Sequence, residues 1–437
     1  MVPAVQHHVP GQVPLIQRWQ GCLQPQPVVM RRLEWLAAIL LMVLLSGLPF
    51  LSRSGMALVM VACGLIWLLW SLCTPPVRVE TPSSWLLVIV GIAILATGFS
   101  PVPIAAVKGL LKLLSYLGVY ALVLKLLRQQ PAWWDRLVAG LLGGGLLSSV
   151  LALRQLYAST EDLATWADPN SISAGTIRIY GPLGNPNLLA GYLLPLLPLA
   201  TVALIRWSGV GSRLFAAITL VLASTATTLT YSRGGWLGMV AALAVLLLLL
   251  LLRSTRRWPL FWRRLLPLAV LLAGAMLLAV AAVKLEPIRT RITSLLAGRG
   301  DSSNNFRINV WLAAIEMIQD RPWLGIGPGN NAFNSIYPLY QQPKFNALSA
   351  YSVPLEILVE TGFPGLIASL GLLISSMGRG LESLSSDAPM ALAGLGCLAA
   401  MAGLLVQGIT DTIFFRPEVQ LIGWFCLASL ASRTGDR

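Results

Sequence analysis

The chain has 437 residues, of which 56% are hydrophobic and only 11% are charged. A soluble protein carries roughly a quarter charged residues, so this composition excludes an ordinary soluble enzyme and indicates an all-α polytopic membrane protein. The net charge of +14 does not indicate nucleic-acid binding, because no basic face with interleaved aromatic residues is present.

The chain begins with a polar, proline-rich stretch, residues 1–30, which we expect to be a cytoplasmic tail. Arg31 and Arg32 precede the first apolar run and place the N-terminus inside. Residues 31–437 are predicted to form a single domain in the cytoplasmic membrane, with about twelve spans and both termini in the cytoplasm. The apolar runs that predict these spans are 33–50, 56–73, 84–100, 104–127, 136–157, 187–206, 214–231, 235–252, 265–283, 353–377, 388–408 and 419–432.

The first sizeable loop covers residues 158–186 and is predicted to lie outside. It leads into Asn185-Pro186-Asn187, which is typical of a helix start, because Asn185 can cap the helix and Pro186 suits its first turn. Helix N-termini also bind anions. Asn187 is therefore a candidate supporting residue of a binding site.

A single arginine, Arg233, stands among small residues between the seventh and eighth predicted spans. An odd number of preceding spans puts it outside, where topology does not favour positive charge, so Arg233 is a candidate functional residue. The next loop is predicted to mark the cytoplasmic side and to anchor the chain to lipid. It carries five arginines and two tryptophans: Arg253, Arg256, Arg257, Trp258, Trp262, Arg263 and Arg264.

The large outer loop, residues 284–352, is the long polar segment of the chain and is predicted to be periplasmic. Long loops escape the positive-inside rule, so an excess of basic residues here indicates an anionic partner. The seven basic residues are Lys284, Arg289, Arg291, Arg299, Arg307, Arg321 and Lys344, against the four acidic residues Glu286, Asp301, Glu316 and Asp320.

An amphipathic helix is predicted inside this loop, lying on the membrane surface or beneath the loop. Ser303 or Asn304 can cap it, and Pro322 ends it. Arg307 falls in its first turn, where the helix dipole disfavours a cation, so its position is predicted to serve binding. The apolar residues at helical spacing are Ile308, Trp311, Leu312, Ile315 and Ile318.

Two carboxylates, Glu356 and Glu360, stand one turn apart near the start of the tenth predicted span and share one face. Carboxylates at such a position are unfavourable unless they are paired. Arg233 and Arg307 are the predicted partners. Both histidines of the chain lie in the N-terminal tail, so no imidazole serves as a base in the outer loops.

Several motifs stand in a fixed order along residues 180–366. They are Asn185-Pro186-Asn187, Ser232-Arg233-Gly234-Gly235, Arg307 with Trp311, Arg321-Pro322-Trp323-Leu324-Gly325-Ile326-Gly327, and Ser352 followed by Glu360-Thr361-Gly362-Phe363-Pro364-Gly365. Together they resemble the O-antigen ligase and polymerase superfamily of bacterial membrane proteins. Within it, residues 345–352 are similar to the cyanobacterial branch named as inorganic-carbon (bicarbonate) transporters.

The resemblance implies a GT-C-like fold and a cofactor-free, metal-independent, inverting glycan transfer at the outer face. The implied donor is a glycan on undecaprenyl pyrophosphate, which would join the membrane lipids as a partner. Arg233 and Arg307 match the donor-binding arginines of the family, and Arg289 and Arg321 are further candidates for the pyrophosphate. Trp311 and Ser352 are candidate supporting residues.

The chain departs from the family at the histidine that would activate the acceptor, where it has Tyr351. A tyrosine, with a pKa near 10, is a poor base at neutral pH. Either Glu356 or Glu360 then takes that role, or the chain does not perform ligase chemistry. The first alternative is bicarbonate transport or an accessory role in carbon accumulation, in which Lys108 and Lys112 would serve an anion path. The second is a membrane scaffold with a degenerate site.

Overall fold

The computed structural model describes residues 27–74, 81–157, 178–284, 289, 293, 298–388 and 390–432. The predicted tail up to residue 26, residues 158–177 of the first loop, and Arg291 lie outside these ranges. The α-helices of the described ranges are α1 Pro27–Gly47, α2 Arg53–Leu72, α3 Thr81–Gly98, α4 Pro103–Gln129, α5 Trp133–Arg154, α6 Pro186–Leu193, α7 Leu196–Arg206, α8 Val210–Leu229, α9 Arg233–Ser254, α10 Leu260–Lys284, α11 Ser302–Asp320, α12 Asn330–Ile336, α13 Val353–Leu381, α14 Ala391–Thr410 and α15 Pro417–Ala431.

Within these ranges, ten helical segments are long and apolar enough to cross a membrane, with α6 and α7 together forming one of them. The predicted class, an all-helical polytopic membrane protein, is thereby confirmed. The count of twelve spans is not confirmed. Of the two remaining predicted spans, α1 carries Arg31, Arg32 and Glu34 near its start, and α15 has only 15 residues. The single-domain boundary, the membrane concerned and the side of each loop stay predictions.

The centre of the bundle is formed by α6, α7 and α14. Within their most apolar stretches, 83% of residues are buried for α6 with α7 and 72% for α14. α14 is rich in alanine and glycine, and small residues let helix backbones approach closely in a membrane protein. Gly238 of α9 has no room for a side chain, because the carbonyl oxygen of Gly403 in α14 lies close to the position that its Cβ would take. By contrast, only 6% of the corresponding stretch of α10 is buried.

The segment after α11 is hydrogen-bonded to a kink in α13. The kink lies at Gly362, which has a φ of 66° and a ψ of −168°. The backbone N–H of Phe363 donates to the carbonyl of Pro322 at 2.8 Å, and the N–H of Ile326 donates to the carbonyl of Val359 at 2.9 Å. The kink therefore holds the end of α11 and the following turns against the spanning helices.

The predicted helix in the large loop is present as α11, but its predicted cap is wrong. Asp301 caps it, accepting from the N–H of Asn304 at 3.1 Å. Leu312 and Ile315, two of the apolar residues at helical spacing, are 45% and 41% exposed, and the predicted contact of this helix with a membrane surface stays a prediction. The helix packs against α13. The buried apolar residues of α11 are Val310, Ala313, Ala314, Met317 and Ile318.

We expect Gly362→Ala to lower the melting temperature by several degrees. The backbone conformation at Gly362 costs a residue with a side chain about 1–3 kcal/mol, and the added Cβ would stand 2.5 Å from the carbonyl oxygens of Pro322 and Trp323. Gly378→Ala is the matched control, since a Cβ at this position of the same helix meets nothing within 4 Å. Thermal unfolding of both variants in detergent checks this, and an unchanged melting temperature for Gly362→Ala would contradict the kink.

Candidate functional site

Several helices of the bundle begin at one end, which we call the loop end because α11 lies there. They are α6, α9, α11, α13 and α15, while α14 ends there. Ion pairs and a hydrogen bond join the ends of α6, α9, α11 and α14. Each helix N-terminus carries a partial positive charge. These N-termini favour an anion at the loop end, and the C-terminus of α14 at the same end opposes them.

Arg233 links α9 to α11 at this end. Ser232 caps α9 by accepting from the N–H of Gly235 at 3.2 Å, which fixes the backbone next to the arginine. The Nη2 atom of Arg233 lies 3.0 Å from Oδ1 of Asp301, the buried carboxylate that caps α11. The Arg233 side chain is 11% exposed. Arg233 is thus held in place by a cap and by an ion pair.

Arg307 lies close to this pair, in the second turn of α11. Its Nη1 atom donates to Oγ of Ser303 at 3.0 Å, its Nη2 atom lies 3.9 Å from Oδ2 of Asp411, and its side chain is 18% exposed. Its Nε atom is buried and has no hydrogen-bond partner among the residues described. Burial lowers the pKa of Arg307, Asp411 raises it, and the neighbouring Arg233 lowers it. A bound anion would offset both unfavourable effects.

Asp411 joins a second set of residues to the site. Its Oδ2 atom accepts from Nδ2 of Asn187 at 3.4 Å, and Oδ1 of Asn187 accepts from Arg178 at 2.6 Å. Burial raises the pKa of the Asp411 carboxyl group, while Arg307 lowers it. The predicted supporting residue Asn187 is therefore brought to the arginines, but through an aspartate and an arginine that the sequence did not single out as site residues. The sequence feature that could have pointed to Asp411 is its position as a carboxylate just after an apolar run.

Tyr351 lies beside the arginine–aspartate pair. Its φ is 50°, its ring meets Phe306 edge-on with centroids 5.3 Å apart, and its carbonyl accepts from Nε1 of Trp311 at 3.3 Å. Burial and the nearby Asp411 raise the pKa of the Tyr351 phenol, whereas Arg307 lowers it. The phenol is thus neutral at physiological pH, as expected from its residue type. Ser352, the next residue, is buried and occupies the N-cap position of α13, where its side chain makes no capping hydrogen bond.

The predicted pairing of the two glutamates with the two arginines is wrong, since the arginines pair with aspartates. Glu356 accepts through Oε2 from the N–H of Ala350 at 2.5 Å, and Glu360 accepts from the N–H of Gly329. Both glutamates are buried and interact electrostatically with Lys112 of α4. These hydrogen bonds hold the backbone of the loop against α13.

The other two predicted pyrophosphate ligands, Arg289 and Arg321, are not shown to lie with Arg233 and Arg307. Arg321 follows Arg307 by fourteen residues at the far end of α11, about 21 Å along the helix axis, and donates to the carbonyl of Phe99 at 3.3 Å. It is exposed and lies away from the arginine pair. Arg289 is exposed in a stretch of which few residues are described, and its part in the site stays a prediction.

Residues 218–370 match the model of the family described as O-Antigen ligase. No curated protein matches the chain. The matched stretch covers roughly a third of the chain and contains Arg233, Arg307 and Tyr351. It supports the resemblance to the ligase superfamily and a ligase-like function in general, and it gives no support to the bicarbonate branch. Asn187 and Asp411 lie outside the matched stretch, yet they contact each other and, through Asp411, Arg307.

Proposed function

We propose that the protein transfers a glycan from a polyprenyl-pyrophosphate donor, undecaprenyl in bacteria, to an acceptor hydroxyl group at the outer face of the membrane. The observation that carries this proposal is the meeting of Arg233 and Arg307, from the first two turns of two different helices, at the loop end. One guanidinium nitrogen of Arg307 has no partner among the described residues. The match of the surrounding stretch to a ligase family supports the same class of reaction.

The arginines would act on the leaving group. The acceptor oxygen attacks the anomeric carbon from the face opposite the pyrophosphate, the bond from that carbon to the phosphate oxygen breaks, and the configuration inverts. Negative charge then grows on the departing pyrophosphate. Guanidinium groups hold phosphate oxygens with paired hydrogen bonds and stabilise this charge. The converging helix N-termini add to the same effect.

Asp411 is the group that we assign to accept the proton of the acceptor hydroxyl. Burial raises its pKa, and a catalytic base works best when its pKa approaches the operating pH. Tyr351 is neutral and would form a wall of the site. Glu356 and Glu360, the bases expected from the sequence, are engaged by backbone N–H groups of the loop and support its shape.

A deletion strain tests the proposed function directly. Mass spectrometry of its lipids is expected to show accumulated polyprenyl-pyrophosphate glycans, and the wild-type gene is expected to remove them. An unchanged lipid profile, together with loss of labelled bicarbonate uptake, would overturn the proposal in favour of the carbon-accumulation alternative.

Tyr351→Phe is expected to retain transfer within about threefold, whereas loss of a general base costs about 10²–10⁴-fold. The substitution removes the phenol oxygen and keeps the ring that packs on Phe306. Tyr351→Ala is the companion variant, and we expect it to lose more activity because the ring wall is gone. Turnover of the lipid-linked glycan in membrane vesicles measures both. A hundredfold loss of transfer in Tyr351→Phe would contradict this and identify the phenol as the base.

A further inference from the structure

A groove runs between α9 and α10 at the end of the bundle opposite the loop end. Its volume is about 550 Å³. The last turns of α9 form one wall and the first turns of α10 form the other, and two arginines, Arg263 and Arg264, line it as well. The apolar lining consists of Leu248, Leu252, Leu260, Pro267, Leu268 and Leu271.

The arginines of this loop fall into two groups. Arg253 donates through Nη1 to the carbonyls of Ser383 and Ser386, both at 2.6 Å, and Arg256 pairs with Asp387. These two arginines therefore tie the loop to the segment before α14. Arg263 and Arg264, in contrast, are exposed and form no ion pair with any residue that the structure describes. Their guanidinium groups are therefore open to a ligand from outside the protein.

The apolar part of the groove extends beyond the two arginines. Leu271 lies seven residues after Arg264, about 10 Å along the helix axis, which is within the roughly 15 Å of half a hydrocarbon core. α10 is the least buried of the candidate spans, so much of its surface is open to lipid chains. The groove therefore combines apolar walls that can hold part of an acyl chain with two guanidinium groups near the start of α10.

We propose that one anionic phospholipid of the surrounding membrane binds in this groove. Its phosphate would lie on Arg263 and Arg264, which can hold it with paired hydrogen bonds, and one acyl chain would follow the leucines of α9 and α10. Basic pockets between spanning helices bind anionic headgroups in this way. The lipid would join the loosely packed α10 to the bundle. This inference does not depend on the proposed function.

Arginines that only orient the chain in the membrane need no groove beside them. The charge and the groove are therefore tested separately. The charge variant is Arg263→Gln with Arg264→Gln. Its control is Arg31→Gln with Arg32→Gln, which removes the same charge from two exposed arginines of α1. α1 begins at the same end of the bundle, since Glu34 accepts from Trp133 at the start of α5, and Asp135 in the first turn of α5 pairs with Arg206 at the end of α7. The groove variant is Leu268→Trp, which fills the space and changes no charge.

The measurement is titration of the purified full-length chain with phosphatidylglycerol or phosphatidylcholine, followed by native mass spectrometry. Each arginine near a membrane surface strengthens anionic-lipid binding by a factor of about five, so we expect the Arg263/Arg264 double variant to bind phosphatidylglycerol about twenty- to thirtyfold more weakly. Leu268→Trp is also expected to weaken it, and the Arg31/Arg32 control is expected to bind as the wild type does. Equal losses in the two double variants, or equal binding of the two lipids by the wild type, would overturn the proposal.

Discussion

Arg307→Ala is expected to reduce glycan transfer by at least about a hundredfold, the effect of removing one preorganised donor from a developing negative charge. Arg233→Ala is expected to have a comparable effect, because the two guanidinium groups would share the pyrophosphate. Arg307→Lys should not restore activity, since an ammonium group cannot form the paired hydrogen bonds of a guanidinium. The readout is the amount of polyprenyl-pyrophosphate glycan that accumulates in a deletion strain carrying each variant.

Arg321→Ala is the matched control for Arg307→Ala. Both arginines belong to the large loop, but Arg321 is exposed and its contact is with the carbonyl of Phe99, so we expect near wild-type transfer. The amount of each variant in the membrane is measured in parallel, which separates loss of chemistry from loss of protein. Full activity of both Arg233→Ala and Arg307→Ala would exclude the arginine pair as the donor site.

Local rules along the sequence predicted most of the helices and singled out two arginines that the structure brings close together. Continuous apolar runs of about 20 residues define spanning helices, because a helix satisfies all its backbone hydrogen bonds within one segment of the chain. Arg233 and Arg307 were recognisable because each contradicts a local rule, the first by its predicted side of the membrane and the second by its place near a helix start. Such conflicts between sequence and local preference mark functional positions.

The partners of these arginines were not predictable, because they depend on which helix ends meet. Asp301 looked like one acidic residue among several in the loop, and its role as the cap of α11 shifted the helix start away from the expected Ser303 or Asn304. Asp411 follows the end of α14, far along the chain from Arg307. The glutamates of α13 were the nearer candidates in sequence, but the turn before α13 directs them to loop backbone instead.

Replacing Asp411 with asparagine is expected to abolish transfer and to destabilise the protein. The change leaves the largely buried guanidinium of Arg307 without its counter-ion. Breaking a fully buried pair costs about 3–5 kcal/mol, and we expect about 2–3 kcal/mol here, because the two atoms are 3.9 Å apart and Arg307 is 18% exposed. Asp387→Asn is the control, since that exposed carboxylate pairs with Arg256 at the opposite end and should leave both properties unchanged.

A double variant tests the structural role of Asp411 as the counter-ion of Arg307. Arg307→Gln combined with Asp411→Asn leaves neither charge buried alone and retains groups that can hydrogen-bond. We expect its melting temperature to recover most of the loss seen in Asp411→Asn, while transfer stays absent because both proposed site groups are gone. Recovery of transfer together with stability would exclude both Arg307 and Asp411 from the chemistry.

The pH profile gives an independent test of the proton-accepting role. Only the ionised carboxylate can accept a proton, and burial raises the pKa of Asp411, so transfer by the wild type should fall as the pH decreases through a value above the ordinary aspartate pKa of about 3.9. Tyr351→Phe should keep this acidic limb, because the phenol does not titrate in that range. Membrane vesicles supplied with lipid-linked glycan allow the rate to be followed across pH. An activity that stays constant down to the ordinary aspartate pKa would remove Asp411 as the base, while the arginine pair could still bind the donor.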